Sequence, residues 1–337
     1  MTDLKSSAQA KNAANKINKI MEKDTTLLMT STDRIRHPAI STGIYGLDYD
    51  VLGIGGFPQE RVSEIYGPES SGKTTLLLTT IAELQKKGGL CHFIDMEHTL
   101  DMDYAVKLGV KQEELLFSQP DNGEEAIDTM TVSVMTGDVR LIVFDSVAAI
   151  ASKAELEGES GESNMGKRAF LMAQACRKLA MTLIKNHCTI IFTNQITSKL
   201  GVTFGSNEDT PGGKSLKFYA SVRLDVRSPA SGRIKGKDDD DVLGARVRIK
   251  AVKNKMFVPF RSTEVDLIYG VGFDTVGSLI ESSVGAGVIE QTGAWFHYKG
   301  EKIGQGRAKV KELLLTTPKL LKSITEDLEK KNNEGLV

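Results

Sequence analysis

Eight consecutive residues, Gly67, Pro68, Glu69, Ser70, Ser71, Gly72, Lys73 and Thr74, carry the clearest chemistry in this chain of 337 residues. They match the pattern G-x-x-x-x-G-K-[ST], whose glycines let successive backbone N–H groups surround phosphate oxygens. Lys73 supplies a cation for the β- and γ-phosphates of ATP, Thr74 supplies a hydroxyl for Mg²⁺, and Thr75 continues the segment into a helix. Three polar residues at the ends of apolar runs belong with this loop. Asp145 closes the run beginning at Leu141, where a carboxylate orients magnesium through its water shell. Glu97, after FID, is placed to orient and deprotonate an attacking water. Gln195 ends TIIFTNQ, where an amide can sense a γ-phosphate. Each of the three also has a plainer reading, as a helix cap, a surface glutamate or a strand cap. On these residues alone a motor, a small-molecule kinase and a nucleotide switch all stay open.

The elements that must position these groups follow from hydrophobic periodicity. From residue 61 short apolar runs, RVSEIY, LCHFID, LIVFD and TIIFTNQ, alternate with helical segments. Continuous apolar strands separated by helices predict a mostly parallel sheet covered on both faces. Ligands of such sheets bind at the carboxyl ends of the strands, where the loop, Glu97, Asp145 and Gln195 all fall. After Gly212 the pattern changes to SVRLDV, ARVRIKAV and FRSTEVDLIY, which predict antiparallel strands extending the sheet. Arg227 to Val242, with its aspartate run, reads as an exposed loop. Upstream, Ala8 to Met21 has the spacing of one amphipathic helix, separated from the rest by a Thr/Ser-rich stretch. From Thr275 a Gly-punctuated α/β module begins, ending in a charged helix around Pro318 to Lys331.

Composition narrows the class further. Lys and Arg number 43 against 44 Asp and Glu, a net charge of -1, so any nucleic-acid site is a local feature. Three cysteines in no C-x-x-C pair argue against a disulfide framework or a zinc site and for a reducing compartment. The absence of an apolar run of bilayer length and of a signal-peptide core predicts a cytoplasmic protein.

At this point the residues resemble a specific family, the bacterial and phage RecA DNA recombinases. The resemblance rests on GPESSGKTT at Gly67, DMEHTLD at Asp95, VFDSVAAI at Val143, KAELEGESGESNMG at Lys153, FTNQI at Phe192, GGKSLKFYASVRLD at Gly212, KNK at Lys253 and GAWFHYKGEKIGQG at Gly293. It spans about Ser41 to Gly306, more weakly the N-terminal helix. It implies a RecA-like P-loop NTPase core at 37–274, an N-terminal helix and linker at 1–36 for subunit contact, and a small C-terminal α/β domain at 275–337. It further implies filaments on single-stranded DNA, ATP and Mg²⁺ held at each subunit interface, strand exchange with homologous double-stranded DNA, and work on the nucleoid.

The resemblance also assigns roles. Glu97 becomes the general base, Asp145 the magnesium carboxylate and Gln195 the γ-phosphate sensor. Lys253 and Lys255 resemble the pair that reaches a neighbour's ATP, with Lys217 and Phe218 beside them at the interface. Tyr104 and Tyr269 match positions flanking adenine. DNA contacts carried over are Met165, Gly166, Arg177, Lys199, Leu200, Gly212 and Gly213, with Arg227, Arg248 and Lys250 as a second site for duplex. The sequence departs from the family where Thr197 and Phe170 replace arginines, Ala173 replaces a serine and Ser228 interrupts a basic pair; Lys167, Arg168 and Lys214 stand nearby. Its last residues, TEDLEKKNNEGLV, have mixed charge instead of an acidic tail, which predicts no autoinhibition by such a tail. A filament that protects single strands with ATP only as a switch, and a helicase on the same core, are the alternatives.

Overall fold

The computed structural model describes residues 2–23, 26, 37–157, 165–198, 207–236 and 241–335. The chain divides into two compact units, Met1–His37 and Pro38–Val337. In the first, α1 spans Thr2–Met21. Asn18 closes its end, donating to the Thr26 carbonyl and accepting from the Thr26 N–H. Ile17, Ile20 and Met21 remain exposed on it.

The second unit is built on one large sheet. After the short antiparallel pair β1 (Ala39–Ile40) and β2 (Phe57–Pro58) come β3 (Val62–Tyr66), α2 (Lys73–Lys86), β4 (Leu90–Asp95), α3 (Met102–Lys107), β5 (Leu115–Ser118), α4 (Gly123–Thr136) and β6 (Val139–Asp145). The short α5 (Lys153–Leu156) and long α6 (Met165–Lys185) lead to β7 (Thr189–Asn194). A two-residue pair, β8 (Thr197–Ser198) with β9 (Glu208–Asp209), precedes α7 (Gly213–Tyr219) and β10 (Val222–Arg227). Then follow β11 (Arg233–Lys235), β12 (Val242–Asn254), β13 (Ser262–Ile268) and β14 (Gly272–Phe273). The sheet order is β14-β13-β12-β10-β3-β7-β6-β4-β5, with β11 paired to β12.

The strands β10, β3, β7, β6, β4 and β5 run parallel, each to its neighbours. Their alternate side chains feed two cores. Ile65, Val143 and Ile191 face α2 with Leu76, Leu77 and Ile81, whereas Ile142, Phe144, Ile190 and Phe192 face α4 and α6 with Met130, Met172 and Leu179. Burial on both faces is what makes these runs continuously apolar.

Two expectations change here. SVRLDV was expected to be antiparallel, and β10 is so only to β12; to β3 it runs parallel, while β11, β12, β13 and β14 make antiparallel pairs. Side-chain alternation does not encode strand direction; α7 returns the chain so that β10 enters alongside β3. Within Arg227 to Val242, the expected loop, Arg233–Lys235 pairs with Val242–Ala245, since β12 runs past the end of β10 and offers free backbone groups there.

The C-terminal part of this unit is a second small core. The α8 helix (Thr275–Gly285), the antiparallel β15 (Ile289–Thr292), β16 (Trp295–Tyr298) and β17 (Glu301–Gln305), α9 (Arg307–Thr316) and α10 (Pro318–Gly335) enclose Ile280, Phe296, Val310, Leu314, Ile324 and Leu328.

Candidate functional site

The loop from Gly67 to Gly72 joins β3 to α2, and its backbone demands its glycines. A Cβ on Gly67 would lie 2.1 Å from the Val226 carbonyl oxygen, and Gly72 has φ +92° against Leu267. Ser70 also takes a left-handed backbone, φ 55°. Gly72 gives α2 no side-chain cap, so the N–H groups of its first turn stay open to an anion. The Ser71 hydroxyl is buried without a hydrogen-bond partner. Lys73 Nζ folds back on the carbonyls of Gly67 (3.1 Å) and Pro68 (2.7 Å). Burial pushes the Lys73 ammonium below its ordinary range, opposed by the nearby charges of Asp145, Glu97 and Glu69. A cleft of about 610 Å³ opens over the loop, lined by Ser70–Thr75, Tyr104, Leu267, Tyr269 and Gly270. Tyr104 shares a 3.0 Å hydrogen bond with Thr75 Oγ1, while Tyr269 is 52% exposed at the mouth.

Beside the loop, the carboxyl ends of three parallel strands bring the polar groups together. Thr74 Oγ1 donates to Asp145 Oδ2 at 2.9 Å and Thr193 Oγ1 donates to Asp145 Oδ1 at 2.5 Å. Burial raises the Asp145 carboxyl above its ordinary range, while these two donors pull it back toward the charged form. Glu97 Oε1 accepts from Ser146 Oγ and from Gln195 Nε2, the latter at 3.3 Å. Asp95 holds this turn by accepting from the N–H groups of Glu97 (3.2 Å) and Leu100 (3.1 Å) and from Gln119 Nε2. Asp95, Ser146 and Thr193 were not picked out from sequence, although each is within two residues of a residue that was.

A hydroxyl and one carboxylate suit Mg²⁺, which keeps several waters and takes its remaining ligands from phosphates. Among the described residues no cluster of three or more His, Cys, Asp or Glu could cage an ion alone. The open N-terminus of α2, the glycine cradle and this pair together fit a magnesium-bound nucleotide.

Lys253 and Lys255 lie elsewhere. Lys253 is opposite Arg223 in β12–β10 register, at the start of β10, whereas the loop follows the far end of β3. About 10 Å of strand separates the level of Lys253 from the start of the loop. Lys253 Nζ donates to the carbonyls of Lys217 (2.6 Å) and Phe218 (3.0 Å) at the end of α7. Phe218 is 69% exposed. Lys217 pairs with Asp209.

The expected DNA residues are dispersed. Gly166 sits in the first turn of α6 with open space around it, and Arg177 is exposed on the same helix. Gly212 and Gly213, φ +88° and +75°, press on Val147 and Ala169, so both serve the packing of α7 on α6. Arg227 is bidentate to Glu208 and also paired with Asp225. It lies directly across from Arg248, on the face that also carries Lys250. Lys199, Leu200 and the side chain of Met165 lie outside the described residues. Of the departures, Phe170 is exposed on α6, Thr197 Oγ1 donates to the Asp209 carbonyl, and Arg168 Nε donates to the Ile150 carbonyl.

Comparison with known proteins identifies the family. Residues 8–274 match the family model of the RecA N-terminal domain and residues 277–333 that of the RecA C-terminal domain. The chain is 52% identical over 298 residues to Protein RecA of Sinorhizobium medicae (strain WSM419), covering 88% of this chain and 81% of the relative. It is 49% identical over 326 residues to Protein RecA of Sinorhizobium fredii (strain NBRC 101917 / NGR234), covering 96% and 88%. With Protein RecA of Paracoccus denitrificans it shares 52% over 290 residues, 86% of this chain and 80% of the relative. A P-loop cleft with a carboxylate, a glutamate and a glutamine converging on it, in a chain matched along nearly its whole length, belongs to the RecA family.

Proposed function

We propose that the cleft binds ATP with Mg²⁺, and that a second copy of the chain completes it when single-stranded DNA and then homologous duplex are bound. Family membership makes the chain a DNA-dependent ATPase of recombination and repair that assembles into filaments on DNA. Within that activity the roles are those the resemblance implies, and the hydrogen bonds of the cleft support them. Backbone N–H groups of Gly67 to Gly72 and Lys73 hold the phosphates, and Tyr104 and Tyr269 flank the base. Thr74 and Asp145 would hold Mg²⁺, which would supply positive charge against the phosphates. Glu97 takes the proton of the attacking water, its carboxylate oriented by Ser146 and Gln195. Gln195 carries the state of the γ-phosphate toward DNA. Lys253 and Lys255 stabilise charge in the cleft of the adjoining subunit, with Lys217 and Phe218 at that contact.

The observation that carries this reading is the convergence of Thr74, Asp145, Glu97 and Gln195, from four separate segments, beside one phosphate loop. For DNA, the reading places single strands at Met165, Gly166, Arg177, Lys199, Leu200, Gly212 and Gly213. Duplex is placed at Arg227, Arg248 and Lys250. Arg248 is exposed on β12, and neither it nor Lys250 is ion-paired among the described residues. Such work belongs on the nucleoid, in the cytoplasm; no described helix is long and apolar enough to cross a membrane.

Lys73→Ala should abolish ATP hydrolysis stimulated by single-stranded DNA, together with joint-molecule formation. Wild-type hydrolysis indifferent to DNA would overturn the reading. Single-strand affinity should fall by about 0.7 log units per log unit of salt for each phosphate neutralised.

A further inference from the structure

Glu64 lies in the middle of β3 with no exposed surface, between the buried Ser63 and Ile65. Burying a carboxylate is costly, and a well-packed apolar residue there would cost the fold nothing by comparison. The proposed chemistry does not use it. Its two oxygens nevertheless receive two different donors. Oε2 accepts from Arg223 Nε, whose guanidinium is stacked 4.8 Å from the Tyr66 ring centroid. Oε1 accepts from Asn194 Nδ2 at 3.0 Å.

Asn194 is itself fully buried and is the residue before Gln195. Its Nδ2 also donates to the Pro211 carbonyl at 2.9 Å, and its Oδ1 accepts from the Gln195 backbone N–H at 3.1 Å. Gln195 Nε2 then reaches Glu97 Oε1. The contacts thus run without a gap from Glu64 to Asn194, to the Gln195 backbone and to Glu97. On its other side, Arg223 faces Lys253 across β10 and β12.

We propose that Glu64 is a positioning residue for ATP hydrolysis, fixing Gln195 against Glu97 through Asn194, with Arg223 as the counter-charge that keeps its carboxylate in place. The proposal rests on the assignment of Gln195 and Glu97 above. Two donors converge on Glu64, so a carboxylate with two acceptor oxygens satisfies both. A glutamine has one acceptor and must turn its NH₂ toward either Arg223 or Asn194.

The test compares Glu64→Gln, Asn194→Ala and Gln195→Ala in the full-length protein with single-stranded DNA. Glu64→Gln and Asn194→Ala should each lower kcat by about 10-fold or more, because small displacements of a reacting group are expensive. KM for ATP and affinity for a fluorescent ATP analogue should stay within about 2-fold, since the Lys73 loop is untouched. Asn194→Ala leaves the Glu64–Arg223 pair whole, so it decides the matter should Glu64→Gln fail to fold. A wild-type kcat in Asn194→Ala, or a parallel loss of kcat and nucleotide affinity, overturns the proposal. Loss of turnover in Gln195→Ala alongside normal Asn194→Ala overturns it alone. Unchanged turnover in Gln195→Ala removes the sensor assignment and the proposal together.

Discussion

Buried His92 exchanges hydrogen bonds through Nδ1 with Ser133 Oγ (2.7 Å) and through Nε2 with Ser118 Oγ (2.9 Å), joining β4 to α4 and β5. Burial pushes its imidazole down to about 4 from an ordinary value near 6.5. An unfolded chain therefore takes up a proton on this ring below pH 6.5 that the folded chain refuses until about pH 4. Stability should fall as pH drops through that window, by up to about 3 kcal/mol. Urea unfolding of wild type and His92→Gln across pH 4–7 checks this; the variant should show the flatter profile. At the site itself, Thr193→Val removes one of the two donors that hold Asp145. Its ATP turnover should fall by about 10-fold or more with the fold retained, measurable by steady-state hydrolysis beside circular dichroism. Single residues were unevenly legible. Lys73, Thr74 and Asp145 announce themselves by motif and by position at a strand end. Thr193, Ser146 and Glu64 look like ordinary strand residues, because what distinguishes them is a partner remote in sequence.

At the scale of elements, glycines separate fold from function. Gly67→Ala places a methyl against the backbone of β10, and Gly212→Ala sets one 2.7 Å from Val147 at a positive φ. Each should cost about 2 kcal/mol or more of stability, read as a lower Tm. Gly166→Ala meets nothing within 4 Å and should leave Tm unchanged. Any loss of single-strand binding in that variant then reports a DNA contact rather than a packing defect. The parallel strands were readable because burial on both faces imposes unbroken apolar runs. The direction of β10 and the pairing of β11 were not, since backbone hydrogen bonds leave little mark on side-chain pattern.

For the whole molecule, the decisive feature is that Lys253 lies two strands away from β3, level with Glu64, while the phosphate loop follows the end of β3. Mixing Lys73→Ala with Lys253→Ala should restore some hydrolysis that neither has alone, because a Lys253→Ala cleft can meet the intact Lys253 of a Lys73→Ala neighbour. Continued silence in the mixture would place both lysines in one site. The overall class was legible from the alternation of strand and helix, and the resemblance already implied a site shared between subunits; the register that sets Lys253 opposite Arg223 was not legible, because it pairs strands that are distant in sequence. A contact between unlike ends repeats head to tail, and in a filament the row stays open. On the proposed pairing, such a row has two dissimilar termini, one with an uncompleted cleft and the other with spare lysines. A row of n subunits has n minus one complete catalytic units, and a lone subunit has none. Hydrolysis per subunit should therefore climb with the length of the DNA oligonucleotide before levelling off, so the protein counts its neighbours before it turns over.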